Sequence, residues 1–190
     1  MSTATLSPLP TRKHFTRAEY HFLADNGFLR DARYELLGGD IIAQMPQKEL
    51  HGSLVMAIIF LMARLFGETF VRCQMPVALA NDGEPEPDIL VTRSPRTVYQ
   101  NGATPTSADA LLVVEVSVTT LAYDTDDKAT KYAESGIADY WVVDADNRRL
   151  LVYRNPVGGV YPVPLVLTDA DTVSPLPNPT AIVPVKELLP

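Results

Sequence analysis

Two carboxylates and one amine carry the most distinctive chemistry in this sequence. Leu111-Leu112-Val113-Val114 delivers Glu115, and Pro87-Asp88 opens the apolar run Ile89-Leu90-Val91. Four continuous apolar residues with β-branched members read as a strand buried on both faces. A carboxylate that ends such a strand is expensive to bury unless it is paired or bound to a metal. Proline cannot donate to a sheet ladder, so Pro87 belongs at a strand's first residue or its edge, which sets Asp88 at the mouth of the second strand. A helix is expected directly after Glu115, with Asp124 as N-cap, Asp126 and Asp127 at its positive end and Gly136 as its stop. Lys128 then falls in the first turn, a poor place for a cation, and wants an anionic partner. Asp88, Glu115 and Lys128 together form a candidate site for a hard divalent cation, Mg²⁺ or Mn²⁺, held by Asp88 and Glu115. Such an ion polarises a phosphoryl oxygen and lowers the pKa of an attacking water, while the Lys128 amine could orient that water or offset developing charge.

Each of these residues also has a plainer reading. Lys128 and Asp124 stand at i, i+4, so a helix-surface ion pair worth roughly 0.2–0.5 kcal/mol is open to them. Asp88 could be a turn carboxylate after proline. Glu115 is harder to dismiss, because apolar residues precede it and Val116 follows it. Glu35, between Tyr34 and Leu36, is either a solvent-facing strand carboxylate or an acid turned toward the metal site. His51, near the start of a helix, is more often structural or exposed than catalytic. Arg93 and Arg96 follow the Asp88 strand, where they either meet a phosphate or are solvated in a loop.

The elements that must position these groups follow from local patterns. Residues 1–10 read as a flexible arm and residues 11–190 as one domain. Thr16-Arg17-Ala18-Glu19 is a capping box that opens a short helix to about Asn26, with Tyr20, Phe22 and Leu23 packing inward. Residues 33–45 form a hairpin around Gly38-Gly39. Residues 47–66 carry apolar side chains at 50, 54, 55, 58, 61, 62 and 65, the spacing of a helix with a broad buried face, and Gly67 ends it. Residues 69–80 read as one long strand, kinked at Pro76, that returns through an Asn81-Asp82-Gly83 turn to Asp88. Residues 93–109 are a polar loop. Strands follow at 139–143, 149–154 and 160–167, and a short helix at 185–188. Trp141 is expected in the core.

The chain has 190 residues, 46% hydrophobic and 21% charged, enough for a sizeable core. A single cysteine excludes an intramolecular disulfide and a cysteine-rich zinc site. The three histidines have no zinc spacing. No charged start leads into an apolar signal region, and residues 54–66 fall short of a membrane span, so a cytoplasmic protein with no membrane partner is expected. The formal net charge of −7 weighs against a polyanion partner, although a bound metal would add positive charge that this count omits.

The run from Glu115 to Tyr132, E-V-S-V-T-T-L-A-Y-D-T-D-D-K-A-T-K-Y, followed by Asp139-Tyr140-Trp141, resembles the Uma-type restriction-endonuclease family of the PD-(D/E)XK nuclease superfamily. Tyr34-Glu35-Leu36 with Gly39, the His51 helix and Pro87-Asp88 extend the resemblance over most of residues 33–154. It implies an α/β, restriction-endonuclease-like fold, a mixed β-sheet flanked by α-helices. It implies a metal-dependent endonuclease that hydrolyses phosphodiester bonds in nucleic acid, DNA in particular, with Mg²⁺ or Mn²⁺ as cofactor. Asp88 becomes the PD aspartate, Glu115 the (D/E) and Glu35 an accessory acid. The lysine usually two residues beyond the (D/E) is absent, Ser117 standing there, and the resemblance assigns its role to Lys128, with Lys131 as the lesser substitute. A proline expected near Ser117 is replaced by Val118. The rival expectations are a catalytically idle nuclease fold kept as a binding module, favoured by the acidic charge, and a hydrolase of a small phosphorylated substrate. A homodimer is expected from symmetric cleavage and the frequency of two-fold assemblies.

Overall fold

The computed structural model describes residues 11–189. The expected flexible arm, residues 1–10, lies outside the described residues. Helix α1 (Arg17–Asp25) starts at the Thr16–Glu19 capping box, with both reciprocal bonds formed, and ends at Asn26. It buries no residue fully, and Phe22, expected to pack inward, is exposed. Polar contacts tie it down instead: Tyr20 donates to the Tyr34 carbonyl, and Arg17 and His21 both reach the buried Glu84. Strands β1 (Tyr34–Leu37) and β2 (Asp40–Ala43) form the expected hairpin. Gly38 and Gly39, at φ 59° and 83°, supply the two left-handed positions that its tight turn requires.

The main sheet has six strands in the order β3-β4-β5-β6-β7-β8, comprising Val71–Cys73, Ile89–Thr92, Ala110–Ser117, Asp139–Asp144, Arg149–Arg154 and Leu165–Thr168. Only β5 and β6 run parallel; every other neighbouring pair is antiparallel. A parallel pair needs a crossover, and the chain supplies a helical one between them. It consists of α3 (Leu121–Tyr123), a π-helical turn (Asp124–Lys128) and α4 (Ala129–Glu134). Helix α2 (Glu49–Phe66) covers the opposite face. A two-stranded ribbon, β9 (Thr172–Val173) with β10 (Val183–Pro184), and a 3₁₀ turn (Val185–Glu187) complete the core beside α2.

Strand alternation sorts the core into two clusters. Leu112, Val114 and Val116 of β5, with Trp141 and Val143 of β6 and Ile89 and Val91 of β4, pack toward α2. Val113, Tyr140, Val142 and Leu90 pack toward α4. Side chains two apart on a strand share a face, so Glu115 sides with Val113 and Asp88 with Leu90. The same parity that fills the core therefore turns both carboxylates toward the crossover helix.

Two long-strand expectations give way to shorter elements. Residues 69–80 pair with β4 only over Val71–Cys73, because Gln74 adopts φ 50° and donates its N–H to the carbonyls of Pro87 and Asp88. Residues 160–167 join the main sheet only from Leu165, since Pro162 and Pro164 remove the donors a ladder needs. Trp141 is fully buried, and its indole N–H finds Asp139.

Candidate active site

Asp88 and Glu115 stand beside one another because β4 and β5 pair with Ile89 opposite Val114. The antiparallel register carries on to the next residue on each side, and the Asp88 N–H donates to Glu115 Oε2 at 3.3 Å. Both side chains are buried. Asp88 Oδ2 accepts from the Val116 N–H at 2.9 Å and from His51 Nε2 at 3.1 Å, and its Oδ1 accepts from Gln74 Nε2 at 3.1 Å. Glu115 Oε1 accepts from Lys128 Nζ and from the Tyr132 hydroxyl, each at 2.9 Å.

The crossover helix places Lys128 in a way its sequence position does not announce. Asp124 is not the N-cap; the helix begins earlier, with Thr120 in that position, and Asp124 opens the π-helical turn. Its carboxylate turns inward and accepts from the Ser117 and Thr120 hydroxyls. The wider turn inserts an extra residue between successive hydrogen-bonded levels, as π-bulges do. Asp124 and Lys128 are both buried as a result, and the surface i, i+4 pair between them does not form. Lys128 instead meets Glu115, lies 3.6 Å from Glu35 Oε1 and stacks over the Tyr123 ring. Lys131 turns away to an exposed pair with Glu134.

Glu35 is buried rather than facing solvent. The Tyr123 hydroxyl donates to its Oε1 and the Glu86 N–H to its Oε2. Asp88, Glu115, Lys128 and Glu35 thus converge in one place. His51, Gln74, Tyr132 and Tyr123 join them. The i, i+4 spacing of Lys128 and Tyr132 hinted at Tyr132, whereas no local pattern marks Gln74, which arrives through its left-handed backbone. Arg93 and Arg96 do not join: they follow Thr92, at the end of β4 remote from Asp88, about 16 Å of strand away.

Four buried carboxylates, Asp88, Glu115, Glu35 and Asp124, therefore share a pocket with one ammonium and one imidazole. Burial pushes the Glu115 carboxyl up to about 8 against the pull of Lys128, with Asp88, Asp124 and Glu35 adding to the rise. Burial also raises Asp124. Asp88 is lowered overall: burial acts against it, but the His51, Val116 and Gln74 bonds outweigh burial. Burial works against the Lys128 charge too, yet Glu115, Glu35 and Asp124 hold it well above the ordinary lysine value. The hydrogen bond to Asp88 raises His51, whose buried Nδ1 has no partner among the described residues.

The donor chemistry suits a hard cation. Glu115 Oε2 has one long bond and Asp88 Oδ1 one bond, which leaves oxygen lone pairs on adjoining carboxylates. Among the described residues, no three His, Cys, Asp or Glu groups form a complete cage. Mg²⁺ commonly needs none, since it keeps several waters and takes one or two carboxylates together with substrate phosphate oxygens.

No curated protein sequence matches this chain. A solved structure described as that of a putative nuclease belonging to DUF820 from Anabaena variabilis ATCC 29413 matches with a TM-score of 0.63 and 18% identity, covering 86% of this chain and 95% of that one. At that identity the match establishes a shared α/β fold. The family model described as "Putative restriction endonuclease" (Uma2) matches residues 17–183, a span that contains every element from α1 to the start of the β9–β10 ribbon's last strand and every residue of the pocket above. On that match, the chain belongs to the Uma2 restriction-endonuclease family.

Proposed function

We propose that this protein hydrolyses phosphodiester bonds in DNA with the help of Mg²⁺ or Mn²⁺, using the pocket around Asp88 and Glu115. The observation that carries the reading is the surplus of buried carboxylates over buried cations. An uncompensated charge in that setting costs several kcal/mol, and a divalent cation between Asp88 and Glu115 would offset it. Such an ion supplies Lewis-acid polarisation of the phosphoryl group and a water of lowered pKa. The remaining work falls to side chains of this chain. Val116 N–H, His51 and Gln74 fix the Asp88 carboxylate from three directions. Tyr132 and Lys128 fix Glu115 from the other side. Lys128 also brings a permanent positive charge to the place where a phosphoryl group would gain negative charge. Glu35, held by Tyr123 and the Glu86 N–H, acts through Lys128 as a positioning residue.

The test uses supercoiled plasmid with Mn²⁺ or Mg²⁺. Nicking by the wild type is expected, with a loss of roughly a hundredfold or more in Lys128→Met and in Asp88→Asn. A folded wild type that never nicks plasmid under either metal would remove the catalytic reading and leave a binding module. Activity confined to small phosphate esters, insensitive to salt, would replace DNA with a small substrate, because DNA binding weakens steeply as salt rises.

A further inference from the structure

Helix α2 has a second face that the described residues leave uncovered. Its buried side is Leu54, Val55, Ile58, Leu61 and Met62. The exposed stripe runs Glu49, Ser53, Met56, Phe60 and Arg64, at helical spacings of three and four. Met56 is 52% and Phe60 67% exposed, large values for apolar side chains on one line. Exposed apolar groups scattered singly need no explanation; here two stand one helical turn apart, with Glu49 and Arg64 closing the line at its ends.

The stripe is self-complementary when reversed. A two-fold axis crossing it between Met56 and Ala57 brings residues equidistant from that axis face to face. Glu49 then meets Arg64, and Ser53 meets Phe60. The shape agrees with the charges. A hollow of about 520 Å³ beside the N-terminal half of the stripe is lined by Gln47, Lys48, Glu49, Gly52, Ser53 and Met56. Open space surrounds the Gly52 Cα, where a Cβ would meet nothing within 4 Å. Phe60 of a second copy would enter that hollow.

We propose that a second copy of this chain docks on this stripe, α2 antiparallel to α2, with Phe60 of each copy in the Gly52–Ser53 hollow of the other and Glu49 paired with Arg64. Within one copy Arg64 already touches Glu187 at 2.9 Å, but that pair is exposed and worth little, so the guanidinium is free to change partner. The helix is about 27 Å long, so a contact confined to it falls at the small end of stable interfaces, a weak rather than an obligate dimer. By length and composition α2 could also cross a membrane. The second copy is the better occupant, because one side of α2 floors the protein core and the stripe ends in Glu49 and Arg64. The docking stands independently of the nuclease reading.

Sedimentation velocity across about 1–200 µM and single-cysteine cross-linking in a Cys73→Ala background test it. The wild type should dimerise within that range, and Phe60→Asp should be monomeric with an unchanged far-UV spectrum. Glu49→Arg should weaken the dimer about tenfold or more, and adding Arg64→Glu should restore it. Met56→Cys should cross-link to its own symmetry mate. Ser53→Cys should not, since its two copies would lie about 10 Å apart along the axis, beyond disulfide reach. A wild type that is monomeric at 200 µM, a dimer that survives Phe60→Asp, or Ser53→Cys linking as readily as Met56→Cys would overturn the proposal. So would a monomer that binds neutral phosphatidylcholine vesicles through Phe60.

Discussion

Replacing Lys128 with methionine keeps most of the side-chain volume and removes the only ammonium that the described residues bring to a pocket of buried carboxylates. Lys128 Nζ lies 2.9 Å from Glu115 and 3.6 Å from Glu35. Without it, one further carboxyl must take up a proton or stand unpaired. For a carboxyl of ordinary pKa 4.5, staying protonated at pH 7 costs about 1.36 kcal/mol for each pH unit above that value, or ~3.4 kcal/mol. Breaking buried pairs generally costs about 3–5 kcal/mol, which agrees. For a domain of this size, that loss lowers Tm by roughly 7–14 °C. The sign with pH follows. A carboxyl whose folded-state pKa is raised loses stability as pH climbs above its unfolded value. The gap between wild type and variant should therefore shrink to about 1.4 kcal/mol at pH 5.5. Urea denaturation at pH 7 and pH 5.5, without divalent metal, measures both values. The control is Lys131→Met, whose exposed pair with Glu134 should contribute no more than about 0.5 kcal/mol. A Lys128→Met loss below about 1 kcal/mol at pH 7 would refute the reasoning, because that is what a solvent-exposed ion pair would give.

His51→Ala removes one of the three donors that fix Asp88 and should lower Mn²⁺ affinity about 10–100-fold by calorimetry; unchanged affinity would mean that His51 does not orient the ligand. Asp139→Ala strips a buried acceptor from the Trp141 indole, the Arg154 guanidinium and the Leu176 N–H, so equilibrium unfolding should show a loss of about 3 kcal/mol or more. Lys13 and Thr16 lower Glu19 to about 2, so its contribution is present above pH 4.5 and fades as pH falls toward 2. Amide exchange in α1 should quicken over that window while the sheet stays protected, and a Glu19 titration midpoint near 4.5 would contradict the capping-box account.

Much of the fold was legible because it depends on nearest neighbours and periodicity. The capping box at Thr16, the Gly38-Gly39 turn, the α2 stripe ended by Gly67 and the apolar strands around Trp141 are each specified within a few residues, and each appears where the pattern puts it. The long-strand readings failed where one residue's backbone state outweighed the pattern. Gln74 leaves the ladder at a left-handed φ that no propensity marks, and Pro162 and Pro164 silence the start of β8.

The sequence by itself determined which groups could be brought together: carboxylates ending apolar strands and an amine in the following helix. Tertiary structure decided which of the open readings holds for their surroundings. Lys128 had two carboxylate choices within reach, and the π-helical turn, invisible as a local pattern, sends it into the pocket rather than onto the surface. Glu35 and His51 were ambiguous for the same reason. Whether a polar side chain on a strand or a helix end meets solvent or a buried partner depends on what other segments deliver to that spot. Here the strand register of β4 and β5, the crossover between β5 and β6 and the packing of α2 deliver Asp88, Glu115 and Lys128. Those are contacts between residues far apart in the chain, and short-range spacing carries no record of them.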